Sequence, residues 1–280
     1  MAFSPAAGGG RGTGLARASF LRRYPATPSH GTMGAEVTVT GVLGDEKVAS
    51  VFVPGFLPST HGLRFPNSWP SVPNWTIPLP AGGSIPLGNA SNGLCGGMTY
   101  AVRDLYQAGQ APPPQTTAPG SGPLFSYIAA RLLDSWNLPS GVVEYLALMN
   151  PLLPDVETLL EPLGHGRAWI MINRSWPAIR GDLNAGMPSP VSLIRVKSLN
   201  PMDLGINHQV LAYGYELTGT ALTIYFYDPN HPDDDAVTMS LNIANPAKAT
   251  PVRYSADNEP VYCFFRSNYT FRSPASVAGK

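Results

Sequence analysis

The chain has 280 residues, 44% hydrophobic and only 13% charged, with 18 Lys and Arg against 18 Asp and Glu. That length builds one large domain or two small ones around a sizeable core. The charge balance argues against a nucleic-acid partner, and the absence of any run of about 18 apolar residues argues against a membrane span.

Residues 1–33 are rich in Gly, Ala, Ser and Arg and read as a disordered tail. They lack the continuous apolar core of a secretory signal, so the expected location is cytoplasmic and the Asn-X-Ser/Thr matches at Asn74, Asn89, Asn173 and Asn268 read as chance. Residues 34–280 read as a single domain. It opens with a hairpin, Val37–Val42 against Val48–Val53. From Pro54 to Gly88 prolines and glycines recur among Phe56, Phe65, Trp69 and Trp75, which reads as an irregular segment laid over a core. The two tryptophans are candidates to line a pocket.

Leu94 to Ala108 carries apolar residues at helical spacing with one broad face to bury, and Gly109 stops it. Residues 110–123 form a Pro-rich loop. Helices are expected at Leu124–Trp136, Val142–Met149 and Val156–Leu163, making a helical insertion over about 110–165. Trp169–Ile172 reads as a short strand and Trp176–Ala185 as a helix ended by Gly186. Strands follow at Val191–Val196, His208–Tyr215, Leu222–Tyr227, Val237–Leu241 and Val261–Phe265. Helices first and strands later indicate α+β.

Chemistry concentrates in three places. Cys95 sits in Asn-Gly-Leu-Cys-Gly-Gly-Met, in the first turn of a helix, where unpaired N–H groups and the helix dipole favour a thiolate. Gly93, Gly96 and Gly97 around it imply either close approach of a substrate or tight packing. His208 begins a strand and can act as base toward the thiol, then as acid toward a leaving group. Asp228 ends the next strand, and a turn at Thr218-Gly219-Thr220 returns it to His208, where a carboxylate fixes the imidazole tautomer. Asn230 is the rival orienting group. The other cysteine, Cys263, lies in Val-Tyr-Cys-Phe-Phe and reads as a buried core residue.

These segments, Asn-Gly-Leu-Cys95-Gly-Gly-Met, Asn-His208-Gln-Val-Leu-Ala-Tyr-Gly-Tyr and Tyr-Asp228-Pro-Asn, resemble the signature segments of papain-like cysteine peptidases. The likeness is best to the bacteriocin-leader (double-glycine) peptidase branch. Asp182–Pro188 resembles that branch's segment before the His strand, and the likeness covers about 95–230. It implies a papain-like fold, a Cys95–His208–Asp228 triad, no cofactor, and a peptide or other amide as substrate. The family carries a Gln six residues before the Cys to help bind the oxyanion. Here Asn89 holds that position and Asn92 lies nearer.

Hydrolysis through a thioester is the first reading. A thiol acyltransferase or transglutaminase-like enzyme using the same triad is the second, and a papain-fold binding protein without turnover is the third. Asp228-Pro-Asn230-His-Pro-Asp233-Asp234-Asp235 is rich in oxygen ligands but lacks the spacing of a calcium loop, so it reads as an acidic turn. The histidines and cysteines lack zinc spacing, and no metal is expected.

Overall fold

His208–Thr218 (β6) is the longest strand, and the sheet is organised around it. The computed structural model describes residues 36–38, 48–69, 75–78, 84–87, 93–157 and 164–279. The expected tail, Asn89, Asn92 and most of the expected helix Val156–Leu163 lie outside these residues.

One edge of β6 is shared by two strands. β5 (Ser189–Ile194) pairs with its first residues and β2 (Val48–Phe52) with its last, both antiparallel. β2 also pairs with β1 (Glu36–Thr38), which gives the expected N-terminal hairpin. The other edge of β6 takes β7 (Ala221–Tyr227), then β8 (Thr238–Asn242) and β9 (Arg253–Tyr254), while β10 (Cys263–Arg266) pairs with β5. β7 begins to pair only at Leu211, so the backbone of residues 208–210 is open on that edge. Tyr213 is a bulge between Ala212 and Gly214, which breaks the simple alternation of faces along the strand.

The helices are α1 (Pro58–His61), α2 (Cys95–Gln107), α3 (Gly122–Ser135), α4 (Ser140–Met149), α5 (Arg167–Trp169) and α6 (Trp176–Asn184). With the antiparallel sheet they make an α+β architecture, and the expected helices around Cys95, Leu124, Val142 and Trp176 form within a few residues of their expected bounds. Two expectations are corrected. Trp169–Ile172 is helical: α5 runs through a π-turn, Ile170–Ser175, into α6. Four apolar residues suit a buried strand and a buried helix equally, and burial of Ile170, Met171 and Ile172 satisfies the pattern either way. Pro54–Gly88 is also more regular than expected, since it holds α1 and a hairpin of β3 (Trp75–Pro78) and β4 (Ser84–Leu87). Trp69 is a core residue, packed edge-on against Phe65.

α2 does not keep a solvated face. Gly96 to Leu105 is buried without interruption, polar residues included. Asp104 forms an ion pair with Arg131, whose Nε lies 2.7 Å away, and accepts hydrogen bonds from Arg131 Nη2 at 3.3 Å, Tyr127 OH at 2.8 Å, Tyr269 OH at 2.6 Å and the Arg272 N–H at 3.0 Å. Arg103 lies 3.8 Å over the Tyr269 ring. The polar side chains of this helix are thus paired by α3 and by the C-terminal segment that crosses the helix.

Gly97 explains how close α2 comes to α3. A Cβ there would stand 2.1 Å from the Ile128 carbonyl oxygen, a backbone atom that cannot swing away. Gly97→Ala gains about 1 kcal/mol of helix propensity but overpacks a buried contact at about 1–3 kcal/mol. The expected net result is a lower urea midpoint at unchanged m-value.

Candidate active site

Cys95 is the first residue of α2 and is half-buried. Leu94 precedes it as N-cap without a side-chain cap, so the N–H groups of the first turn have no partner within the helix. The helix start docks on the open edge of β6. Thr99 Oγ1 donates to the Gln209 carbonyl at 3.2 Å, and the Gln209 backbone N–H favours the Cys95 thiolate. Gly96 permits this approach, because a Cβ there would meet Gln209 Oε1 at 2.2 Å and Ser135 Oγ at 2.3 Å. Of the two expectations for these glycines, tight packing is the one observed at Gly96 and Gly97.

His208 and Asp228 meet as their strands require. His208 starts β6, and Asp228 follows the end of β7, whose last residue Tyr227 pairs with Leu211. His208 Nε2 donates to Asp228 Oδ1 at 2.6 Å, and both side chains are buried. The other ring nitrogen, Nδ1, is not used by Asp228, and His208 and Cys95 shift each other's protonation, the imidazole favouring the thiolate and the thiolate the imidazolium. Asp228 Oδ1 also accepts the Asn230 N–H at 2.8 Å, and Oδ2 accepts Tyr254 OH at 2.6 Å.

The electrostatics follow from these contacts. Burial acts to raise the Asp228 pKa, but the His208 charge and the hydrogen bonds from His208, Tyr254 and Asn230 overcome it and hold the carboxyl well below its usual range. Burial acts to lower the His208 pKa, and the Asp228 carboxylate outweighs it, with help from Cys95, raising it to about 10. For Cys95, burial acts to raise the pKa, but the hydrogen bond and charge of His208, with the N–H groups of Gln209 and Gly96, bring it below the free value. Cys263 has no such partners, and burial pushes it up to about 12. The two cysteines therefore differ: His208 favours the thiolate of Cys95, and burial in the core favours the thiol of Cys263.

A cleft of about 360 Å³ opens beside these groups, walled by Asn67, Cys95, Asn207, His208, Asn230 and Glu259 among others. A much smaller cavity of about 30 Å³ lies next to Cys95 against Leu132, Trp136, Tyr145 and Gln209.

Asn230 does not orient His208. Its side-chain oxygen accepts from Asn67 Nδ2 at 3.1 Å, and its backbone N–H serves Asp228. Asn89 and Asn92 lie outside the described residues. The acidic run is divided among local tasks: Asp228 holds His208, Asp235 accepts from Ser59 N–H and Oγ at 2.8 and 2.7 Å, and Asp234 accepts the Ala236 N–H. Among the described residues no three His, Cys, Asp or Glu side chains gather as a metal site, and no helix is long and apolar enough to cross a membrane.

Three residues at the site carried no sequence signal. Asn67 comes from the segment before α2, Tyr254 from a two-residue strand, and Gln209 stands next to the histidine in β6. Gln209 Nε2 donates to Tyr145 OH at 2.8 Å and Ser192 Oγ at 3.2 Å, tying β6 to α4 and β5. Tyr254→Phe removes a hydrogen bond to a buried carboxylate while leaving the ring beneath Arg195, 5.2 Å from its guanidinium. The expected cost is about 1.5–3 kcal/mol, read from urea denaturation near neutral pH.

No protein-family model matches the chain, and no curated protein or solved structure matches it significantly.

Proposed function

We propose that this protein is a cysteine-dependent hydrolase of peptide or other amide bonds, with a papain-like arrangement of Cys95, His208 and Asp228. The observation that carries the proposal is the buried His208–Asp228 pair at 2.6 Å, set beside a cysteine at a helix N-terminus and open to a cleft. A histidine there for packing alone does not need a buried carboxylate, and a structural cysteine does not need a neighbour that lowers its pKa.

The Cys95 thiolate attacks the carbonyl carbon and charge develops on the oxygen. The backbone N–H of Cys95, unpaired within its helix, is a donor for that oxyanion. As the intermediate collapses, the C–N bond breaks and the His208 imidazolium gives its proton to the departing amine. A thioester on Cys95 remains. Water then attacks it, His208 takes a proton from that water, the C–S bond breaks, and the carboxylic acid leaves with the thiol restored. Asp228 stays ionised throughout and stabilises the imidazolium. An amine in place of water completes acyl transfer by the same steps.

p-Nitrophenyl acetate tests this directly. A burst approaching one p-nitrophenolate per chain is expected, with one acetyl group on Cys95 by mass spectrometry and neither in Cys95→Ala. Release at the rate of a free thiol, or acetyl on lysines alone, sinks the proposal. Adding hydroxylamine then separates transfer from hydrolysis by the product formed.

A further inference from the structure

We infer that Asn67 supplies the side-chain donor of the oxyanion site, a task the sequence position of Asn89 suggested for a different residue. This rests on the hydrolase reading above.

Two donors fix the orientation of the Asn67 amide. Asn67 Oδ1 accepts two hydrogen bonds, from the Leu94 backbone N–H at 2.6 Å and from Trp69 Nε1 at 2.9 Å. Both partners can only donate, so the oxygen must face them, and the assignment of oxygen and nitrogen is forced. The nitrogen therefore faces the other way. One of its two hydrogens goes to Asn230 Oδ1 at 3.1 Å. Among the described residues the second hydrogen has no acceptor, and Asn67 lines the cleft shared by Cys95 and His208.

Its position is tied to both halves of the site. Leu94 is the residue immediately before Cys95, so the amide is bonded to the same turn whose next N–H belongs to the nucleophile. The backbone N–H of Asn67 donates to the Pro229 carbonyl at 2.8 Å, one residue beyond Asp228. Gly93 leaves room for the amide: a Cβ on Gly93 would stand 2.2 Å from Asn67 Nδ2. A fixed amide N–H beside the nucleophile's own backbone N–H is the pair of donors that a developing alkoxide needs. An Asn is shorter than a Gln, but this one arrives from a separate segment laid across the helix start, so side-chain length is not the constraint.

The test compares two reactions of Cys95. Acylation by p-nitrophenyl acetate passes through an oxyanion, whereas alkylation by iodoacetamide does not. Asn67→Asp keeps the oxygen that holds Leu94 and Trp69 and removes the donor. Acylation is expected to fall at least tenfold, and a full amide substrate about 10²–10³-fold, with the pH-independent alkylation rate within about twofold of wild type. Gly93→Ala, which displaces the same amide without altering it, is expected to lower the acylation rate in the same selective way. Unchanged acylation in both variants overturns the inference. So does a parallel fall in acylation and alkylation, because Asn67 would then act only by holding the Cys95 turn. If wild-type Cys95 is neither acylated nor alkylated faster than a free thiol, the hydrolase reading fails first, and the two failures are distinguishable. Trp69 fluorescence, sensitive to the same hydrogen bond, reports whether each variant is folded.

Discussion

Cys95 is expected to react with iodoacetamide along a pH profile whose midpoint lies below the free-thiol value of about 8.5, and His208→Ala is expected to move that midpoint to 8.5 or above. The sign follows from the competing influences on the sulfur. Burial opposes the thiolate, and His208 is the largest influence that favours it, ahead of the N–H groups of Gln209 and Gly96. Without the imidazole the two N–H groups face the burial cost alone. The midpoint is more informative than the rate. Below the midpoint, each unit of pKa depression raises the thiolate fraction tenfold but lowers its nucleophilicity about threefold, so the rate gains only about threefold. Acylation is more demanding, since the imidazolium must also protonate the leaving group, and its loss in His208→Ala is expected to reach about 10²–10⁴-fold. In wild type, amide turnover should decline as pH rises through about 10, where His208 loses its proton. An alkylation profile shared by wild type and His208→Ala would remove the ion pair, and with it the case for a nucleophile.

The geometry of Cys95, His208 and Asp228 was legible because each lies at a point fixed by local rules. A helix start, a strand start and a strand end joined by a short turn have limited freedom, and antiparallel pairing of β6 with β7 returns Asp228 to His208. Asn67 and Tyr254 were not legible for the complementary reason. Each arrives through a long connection whose path depends on packing, and nothing about an Asn between Pro66 and Ser68 or a Tyr after Arg253 marks its destination. The buried face of α2 was half legible. Its apolar spacing was sound, but the burial of Arg103 and Asp104 was not legible, because the segment from Asn268 to Arg272 that covers them is invisible to a helical pattern. Trp169–Ile172 failed on period alone, since four residues contain too little of either repeat.

Asp228→Ala is expected to destabilise the fold by about 3–5 kcal/mol near pH 5–6, because it breaks a buried ion pair and leaves the other partner uncompensated. Asp228 is fully buried and accepts from His208, Tyr254 and Asn230, so the variant strands two buried donors, His208 Nε2 and Tyr254 OH. The loss should depend on pH in a defined way. His208 has a folded pKa of about 10, above its unfolded value of about 6.5, so its contribution is complete below about 6.5 and disappears as pH rises through 10. Asp228 is depressed below its unfolded value of about 3.9, so its contribution is present above that pH and lost on acidification. The gap between wild type and variant is therefore expected to be widest from about pH 4 to 6.5 and to narrow toward pH 10. A remainder from the Tyr254 and Asn230 hydrogen bonds should persist there. Urea midpoints at pH 5, 7 and 9 measure it. A gap that stays flat across that range would mean His208 is neutral in the folded protein. Cys95 would then lack the positive charge that favours its thiolate, and the variant's loss would be one of hydrogen bonding alone.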